Sequence, residues 1–420
     1  MFNAAFFSSL GKLTGLLIPF FVGNWFRQGE ITDTFFYVNT IAIFIYGIFS
    51  VSIESVCIPM LGRLKAEGAS YDEYLVHTIS IIVLFSSIFL LFVSLSDDYF
   101  LSRLTGFSDD QRVVIGKMFL CIIPFIVFSA VNSILVSAFY VQNEYKVSSL
   151  SSGVRPIFII ALGYLFKGSM GLYSLVMGYS LGEFVRLLIL LFLGQKRNYF
   201  QMKYEYFVCT KISLSEFLGS YGIQMVGMLL VGLNPLIIKG IASSLGVGAI
   251  SYLEFGEKLG LLPSAFLGFG IVNVFFSDWS SKFYTVRYKL FLKEFWCTNL
   301  ILTGVLAIIV IFLFTVLDQI VAFSLPRITL DKALLSKVTI LYLISNIPYL
   351  LQGNFVKLKF IENRFGFYAA VQFFGSAVYI VSAVLCAKML GVQGLAIGFL
   401  IYNIFLLLVF GLDSMKRTER

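Results

Sequence analysis

Polar and charged residues in this chain gather in short clusters, and between them run stretches of roughly twenty residues that are almost wholly apolar. Crossing a hydrocarbon core of about 30 Å takes roughly 20 apolar residues as a helix, and lipid leaves no backbone N–H or C=O without an internal partner. Each run therefore reads as a membrane-spanning helix. The pattern predicts spans over residues 8–26, 34–61, 75–96, 113–141, 147–166 and 170–195, then a polar, basic linker over 196–213. Spans over 215–240, 248–277, 295–317, 333–356, 366–387 and 391–413 follow it. A β-barrel would need alternating segments of about ten residues, which continuous runs do not provide.

The second half of the chain repeats the first. Val141-Gln142-Asn143-Glu144-Tyr145 returns as Ile361-Glu362-Asn363-Arg364-Phe365, and Gly171-Leu172-Tyr173-Ser174-Leu175-Val176-Met177-Gly178 returns as Gly391-Val392-Gln393-Gly394-Leu395-Ala396-Ile397-Gly398. One offset of about 220 residues fits both segments. The expected fold is an all-α integral membrane protein with twelve transmembrane helices in two pseudo-symmetric six-helix lobes. Residues 1–195 form the N-terminal lobe, 196–213 a cytoplasmic basic linker and 214–420 the C-terminal lobe. Many secondary transporters pair two related bundles around a central site, so transport is the leading reading.

Composition narrows the classes further. With 59% hydrophobic and 13% charged residues the chain lies outside the range of soluble domains, and its mean hydropathy is +0.91. The first apolar run lacks a basic region before it and a small-residue cleavage site after it, so it reads as a retained helix. Cys57, Cys121, Cys209, Cys297 and Cys386 show no paired spacing, and neither a metal site nor any cofactor is expected. The net charge of +8 is read as a topology signal and not as a nucleic-acid surface. With the N-terminus in the cytoplasm, Arg63, Lys65, Lys146, Lys196, Arg197, Lys203, Lys211, Lys282, Arg287, Lys289, Lys293, Lys357, Lys359, Arg364 and the basic tail lie inside. Only Arg27, Arg103, Arg112, Lys167, Arg327, Lys332 and Lys388 lie outside. Both termini are therefore expected in the cytoplasm, in the cell inner (plasma) membrane. The outward loops are short, which weighs against a membrane polymerase or glycosyltransferase.

Ionisable side chains at bilayer depth cost a few kcal/mol each, so those present mark a cavity or a partner. The densest group is Glu254-Phe255-Gly256-Glu257-Lys258 in the eighth span, where Glu254 and Lys258 stand one helical turn apart and can pair. One reading is an internal ion pair that lets the helix insert; the other makes Lys258 a cation for an anionic substrate, with Glu254 and Glu257 orienting it. Asn39 and Thr40 stand at the corresponding positions of the second span. Glu183 and Arg186 are expected to pair across one turn, and Lys12, Lys117, Lys239 and Lys337 to snorkel from span ends. Arg155-Pro156 joins a permanent cation to a helix breaker, placed either to cradle a phosphate or to anchor at headgroups. Pro19, Pro124, Pro235, Pro263 and Pro348 are expected to interrupt spans, and Tyr37, Tyr221 and Tyr252 are candidates for stacking on sugar rings.

Gly15 to Pro59, with Gly29, Thr32-Asp33-Thr34-Phe35-Phe36 and the closing Pro59-Met60-Leu61, resembles the opening of the lipid II flippases of the multidrug/oligosaccharidyl-lipid/polysaccharide exporter superfamily. Gly248-Ala249-Ile250-Ser251-Tyr252, Gly256-Glu257-Lys258-Leu259, Pro263-Ser264 and Leu267-Gly268 resemble its eighth-helix pattern, in which an acid-arginine pair precedes Pro-Ser. The resemblance implies two lobes alternately open to each side that carry an undecaprenyl-diphosphate-linked sugar across the membrane. Membrane lipids, and a polysaccharide polymerase complex, are the implied partners. Where the family carries arginines in its first helix this chain has Ile18 and Asn24, and it stops after twelve spans. Those departures look more like the O-antigen and capsule branch, the substrate class expected here, with lipid II second and cation-coupled drug efflux third. The residues expected to meet substrate are Lys258, Glu257, Glu254, Arg155, Asn39, Thr40 and Asn24.

Overall fold

The computed structural model describes residues 15–26, 29–67, 72–95, 102–103, 105–203, 214–267, 275, 279, 282–283, 286–327, 330–362 and 364–418. Among the described residues all regular structure is helical. The helices are α1 (Gly15–Trp25), α2 (Glu30–Lys65), α3 (Asp72–Leu95), α4 (Asp109–Val141), α5 (Tyr145–Met170), α6 (Tyr173–Lys196) and α7 (Leu214–Ser243). They continue as α8 (Ala249–Gly260), α9 (Leu262–Leu267), α10 (Tyr288–Thr315), α11 (Leu317–Ser324), α12 (Lys332–Ile361), α13 (Phe365–Leu390) and α14 (Val392–Thr418). Nine of these are long and apolar enough to cross a membrane, and α1, α7 and the α8–α9 pair stand where the other three expected spans fall.

Two helix starts carry a polar side-chain cap. Before α4, the Ser108 hydroxyl accepts from the Gln111 N–H while the Gln111 side chain accepts from the Ser108 N–H, a reciprocal capping box. Before α12, Asp331 accepts from the Ala333 N–H at 2.9 Å. Inside the helices, hydroxyls are satisfied on their own backbone, as in Thr40 to the Phe36 carbonyl and Thr339 to that of Leu335. These side chains are thereby accommodated without a partner from lipid.

The helices separate into two compact units, one formed by the described residues up to Leu236 except Gly29, the other by Gly29 and the residues from Ile237 onward. Within the first, α4 is the most enclosed helix, carrying buried Phe125, Ile126, Ile134 and Phe139. Within the second, Leu267, Leu302, Leu306 and Leu350 form a core with Phe275, Val310 and Ile347 against it. Exposed large side chains crowd α3 and α10, among them Leu84, Leu91, Leu95, Leu300, Ile308 and Ile311, giving them the apolar outer faces that lipid requires.

The sequence repeat is a structural repeat. Gly171 closes α5 at φ 56° and ψ −138°, and Gly391 closes α13 at φ 58° and ψ −134°. An L-residue at these angles would be strained, so both turns need glycine. Past each turn a second glycine lets two helices meet: a Cβ on Gly178 would lie 2.5 Å from Ile159 Cα, and one on Gly398 2.7 Å from Ala383 Cα.

The proline expectation is corrected in part. Pro59, Pro124, Pro235 and Pro348 lie inside helices that run on past them, and α1 continues through Pro19. Neighbouring helices and small backbone adjustments re-satisfy the one freed carbonyl in such spans. The breaks occur elsewhere: a π-helical segment at Gly47–Val51 within α2, a turn at Ser152 and Gly153 within α5, and Leu261 between α8 and α9. Pro156 and Pro263 sit in the first turn after the latter two breaks, where a missing N–H costs nothing.

Candidate functional site

In the second unit, the left-handed Gly248 (φ 87°) caps α8 and folds it back beside α7. Four charged groups, two acids and two cations, converge there. Glu254, buried on α8, receives a hydrogen bond from Lys239 of α7, itself buried, and its other carboxylate oxygen lies 3.6 Å from Lys258 Nζ. Glu257 Oε1 is 3.7 Å from the same ammonium. Gly256 and Gly260 let α8 lie against α12, where Cβ atoms would meet Val338 and Tyr342. The break after Gly260 is braced from α12 by Asn346, which donates to the Gly260 carbonyl at 2.5 Å and accepts from the Ser264 N–H at 3.1 Å. That brace fixes the direction in which the charged face of α8 points.

In the first unit, Glu183 of α6 is fully buried. Arg186 lies 3.3 Å from its carboxylate, Arg155 of α5 lies 3.4 Å from it, and Asn132 of α4 donates to it at 2.6 Å. Arg155 also stacks on Tyr46 and Phe125, each ring centroid 5.4 Å from its Cζ. The close approach of α5 and α6 that allows this is again a glycine matter, since a Cβ on Gly182 would come within 2.8 Å of Arg155 Cα. Glu54 of α2 accepts from Ser133 of α4 at 3.0 Å nearby. Asn39 accepts from the Tyr179 hydroxyl at 2.6 Å, Thr40 is bonded within its own helix, and Asn24 is half-buried on α1.

The expected pairs Glu254–Lys258 and Glu183–Arg186 are present, but several readings need correction. Lys239 does not snorkel: it is buried and bound to Glu254, because a helix-interior ammonium that cannot reach an interface must find an acid. Lys117 and Lys337 are exposed, whereas Lys12 lies outside the described residues. Arg155 is occupied by Glu183 and two rings, and does not extend as a headgroup anchor. Tyr37, Tyr221 and Tyr252 are buried, Tyr37 packing edge-on to Phe107 and the Tyr252 hydroxyl accepting from the Asp331 N–H, so none presents a ring face to a sugar. Asn132 and Asn346 are members that sequence reasoning did not name, and Lys239, expected to snorkel, stands four residues after Pro235 with no local signal that an acid on the next helix awaits it.

Comparison with known proteins places this geometry. A probable lipid II flippase MurJ from Aquifex aeolicus is 24% identical over 294 residues, covering 67% of this chain and 57% of the relative. One from Buchnera aphidicola (subspecies Acyrthosiphon pisum) is 23% identical over 293 residues with the same coverage. The chain thus spans little more than half the length of the curated relatives it matches. Among solved structures, a lipid II flippase MurJ in an inward closed conformation superposes with a TM-score of 0.82 at 18% identity, covering 99% of this chain and 87% of that one. An inward-facing multidrug resistance transporter of the MATE family gives 0.79 at 16%, covering 97% and 94%. These likenesses show a transporter fold of the expected lobed, helical kind.

The expected assignment to the O-antigen and capsule branch is overturned. The model of the lipid II flippase MurJ family matches residues 22–410. The inference had leaned on the number of spans and on a thin set of cations. Neither the span number nor Ile18 and Asn24 in place of first-helix arginines outweighs a family match over that length. The chain belongs to the lipid II flippase MurJ family.

Proposed function

We propose that this protein carries lipid II, an undecaprenyl-diphosphate-linked sugar, from the cytoplasmic to the outer leaflet of the bacterial inner membrane by alternating access, with no chemical step of its own. The observation that carries the reading is the family match over nearly the whole chain. The charge cluster of α7 and α8 gives it a physical basis: a diphosphate cannot enter hydrocarbon unaided and needs a cation that is held at depth yet reachable. Lys258 keeps 26% of its side chain exposed while the acids around it are paired. In this proposal Lys258 in the second unit and Arg155 in the first are each phosphate-contacting cations, Glu254 and Glu257 orient Lys258, and Asn39, Thr40 and Asn24 contribute neutral polar contacts. The lobes run over 1–195 and 214–420, joined by the cytoplasmic linker 196–213, with both termini in the cytoplasm. A polymerase partner belonged to the polysaccharide reading and is not part of this one.

The test is rescue of a bacterium depleted of its own lipid II flippase, read as growth and as lipid II reachable by a reagent confined to the outer face. Wild-type chain restores both, Lys258→Arg retains most of the effect and Lys258→Ala loses it at normal protein level. Rescue of O-antigen export without rescue of lipid II exposure refutes the proposal.

A further inference from the structure

Two charge clusters in different units share one plan. In the first, Glu183 is buried and both its oxygens lie 3.3 Å from the buried Arg186, while Arg155, with 27% of its side chain exposed, approaches one oxygen at 3.4 Å. In the second, Glu254 is buried and held by the buried Lys239, while Lys258, 26% exposed, approaches the other oxygen at 3.6 Å. Each consists of one buried carboxylate, one buried cation and one half-exposed cation. The internal repeat does not explain the likeness. At its offset Glu183 falls on Asn403, Arg186 on Leu406 and Arg155 on Gly375, and Glu254 and Lys258 likewise have no charged counterparts in α2. The arrangement has arisen in each half from different helices.

We propose that Glu183 and Glu254 are stand-in anions. Each occupies its half-exposed cation until a phosphate group displaces it, and the buried cation, Arg186 or Lys239, keeps the released carboxylate neutralised. This rests on the reading of Arg155 and Lys258 as phosphate-contacting groups, and it adds Arg186 and Lys239 as positioning residues. Each buried carboxylate, Glu183 or Glu254, lies between two cations, one more than its own neutralisation requires, while the more exposed Glu257 approaches Lys258 alone at 3.7 Å. A lone cation at membrane depth is costly before substrate arrives, and a lone carboxylate is costly after the cation has turned away. The third charge keeps both states paired. Arg155 suits the exchange because, among the described residues, its guanidinium makes one hydrogen bond, from Nη1, and leaves the rest of its fork for a bidentate contact. The Tyr46 and Phe125 rings hold that fork in place when Glu183 lets go. The remaining acids close by, Glu54 in the first cluster and Glu257 in the second, are on α2 and α8.

The test is site-resolved chemical labelling of the full-length protein in nanodiscs, with phenylglyoxal for Arg155 and an amine-reactive ester for Lys258, quantified by peptide mass spectrometry. Glu183→Gln frees Arg155 and raises its labelling rate by about fivefold, the shift in population expected when a partly exposed ion pair is lost. Arg186→Met throws the whole carboxylate onto Arg155 and lowers the rate. Glu254→Gln and Lys239→Met act on Lys258 with the same opposite signs. Inorganic pyrophosphate protects Arg155 and Lys258 in the wild type, and more strongly in the two Gln variants. A purely structural role would move both substitutions of a pair in one direction, and that outcome, or no protection by pyrophosphate, overturns the proposal. If Arg186→Met does not fold, Glu183→Gln/Arg186→Met leaves no buried carboxylate and labels like Glu183→Gln alone; labelling at the wild-type rate refutes the exchange. Because labelling is read without transport, loss of lipid II flipping with these signs intact counts against the substrate and not against the exchange.

Discussion

Lys359 offers the most direct measurement of how firmly charge is built into this fold. Its ammonium is fully buried near the end of α12, 3.1 Å from Glu362, 2.7 Å from Asp413 of α14 and 2.9 Å from the Ser414 hydroxyl. Lys359→Met keeps the volume and removes the charge. Breaking a buried pair and stranding its partner costs about 3–5 kcal/mol, but here neither acid is left alone. Asp413 keeps Arg364 and is 21% exposed, and Glu362 still accepts from the Tyr288 hydroxyl at 2.6 Å. The expected loss is therefore about 2 kcal/mol, below the range for a stranded charge. Denaturant unfolding in detergent, run on Lys359→Met, Asp413→Asn and the double variant, isolates the pair. A coupling energy of roughly 1 kcal/mol or more is expected between side chains in one network. If the two losses simply add within about 0.5 kcal/mol, these groups do not interact as described and the reasoning fails.

Gly178→Ala and Gly398→Ala each push apart a pair of helices that meet backbone to backbone, and each should lower unfolding free energy by about 1–3 kcal/mol; a neutral result would mean that the close approaches are not real. Asn346→Ala leaves the Gly260 carbonyl and the Ser264 N–H without their brace. It should destabilise by about 1–3 kcal/mol and speed amide exchange at the α8–α9 break ahead of the rest of unit 2, whereas unchanged exchange at Ser264 would argue against the brace. In growth rescue, Lys258→Arg should outperform Lys258→Gln at equal protein level; equal performance would remove charge from that residue's role.

The positions of the helices were legible because lipid imposes one solution on every apolar run, although several helices extend past the apolar run, as α10 and α12 do. The duplication was legible too, since the turns at Gly171 and Gly391 demand glycine wherever they occur. Pairs one helical turn apart, Glu254 with Lys258 and Glu183 with Arg186, could be seen from spacing. The branch of the superfamily was not legible, because the expectation used two departures, Ile18 and Asn24 in the first helix and the number of spans, whereas the family match extends over residues 22–410.

What the sequence by itself determined is therefore the membrane class, the helical spans, the repeat and the local ion pairs, all of which follow from interactions within a few residues or between a segment and its solvent. Only the tertiary structure decided that Lys239 belongs to Glu254, that Arg155 shares Glu183 with Arg186, that Lys359 is buried against Asp413 and that Asn346 braces a break in a helix far along the chain. Those partners lie on different helices, and which helix faces which is set by close packing at small residues. No periodicity along a single segment encodes that choice.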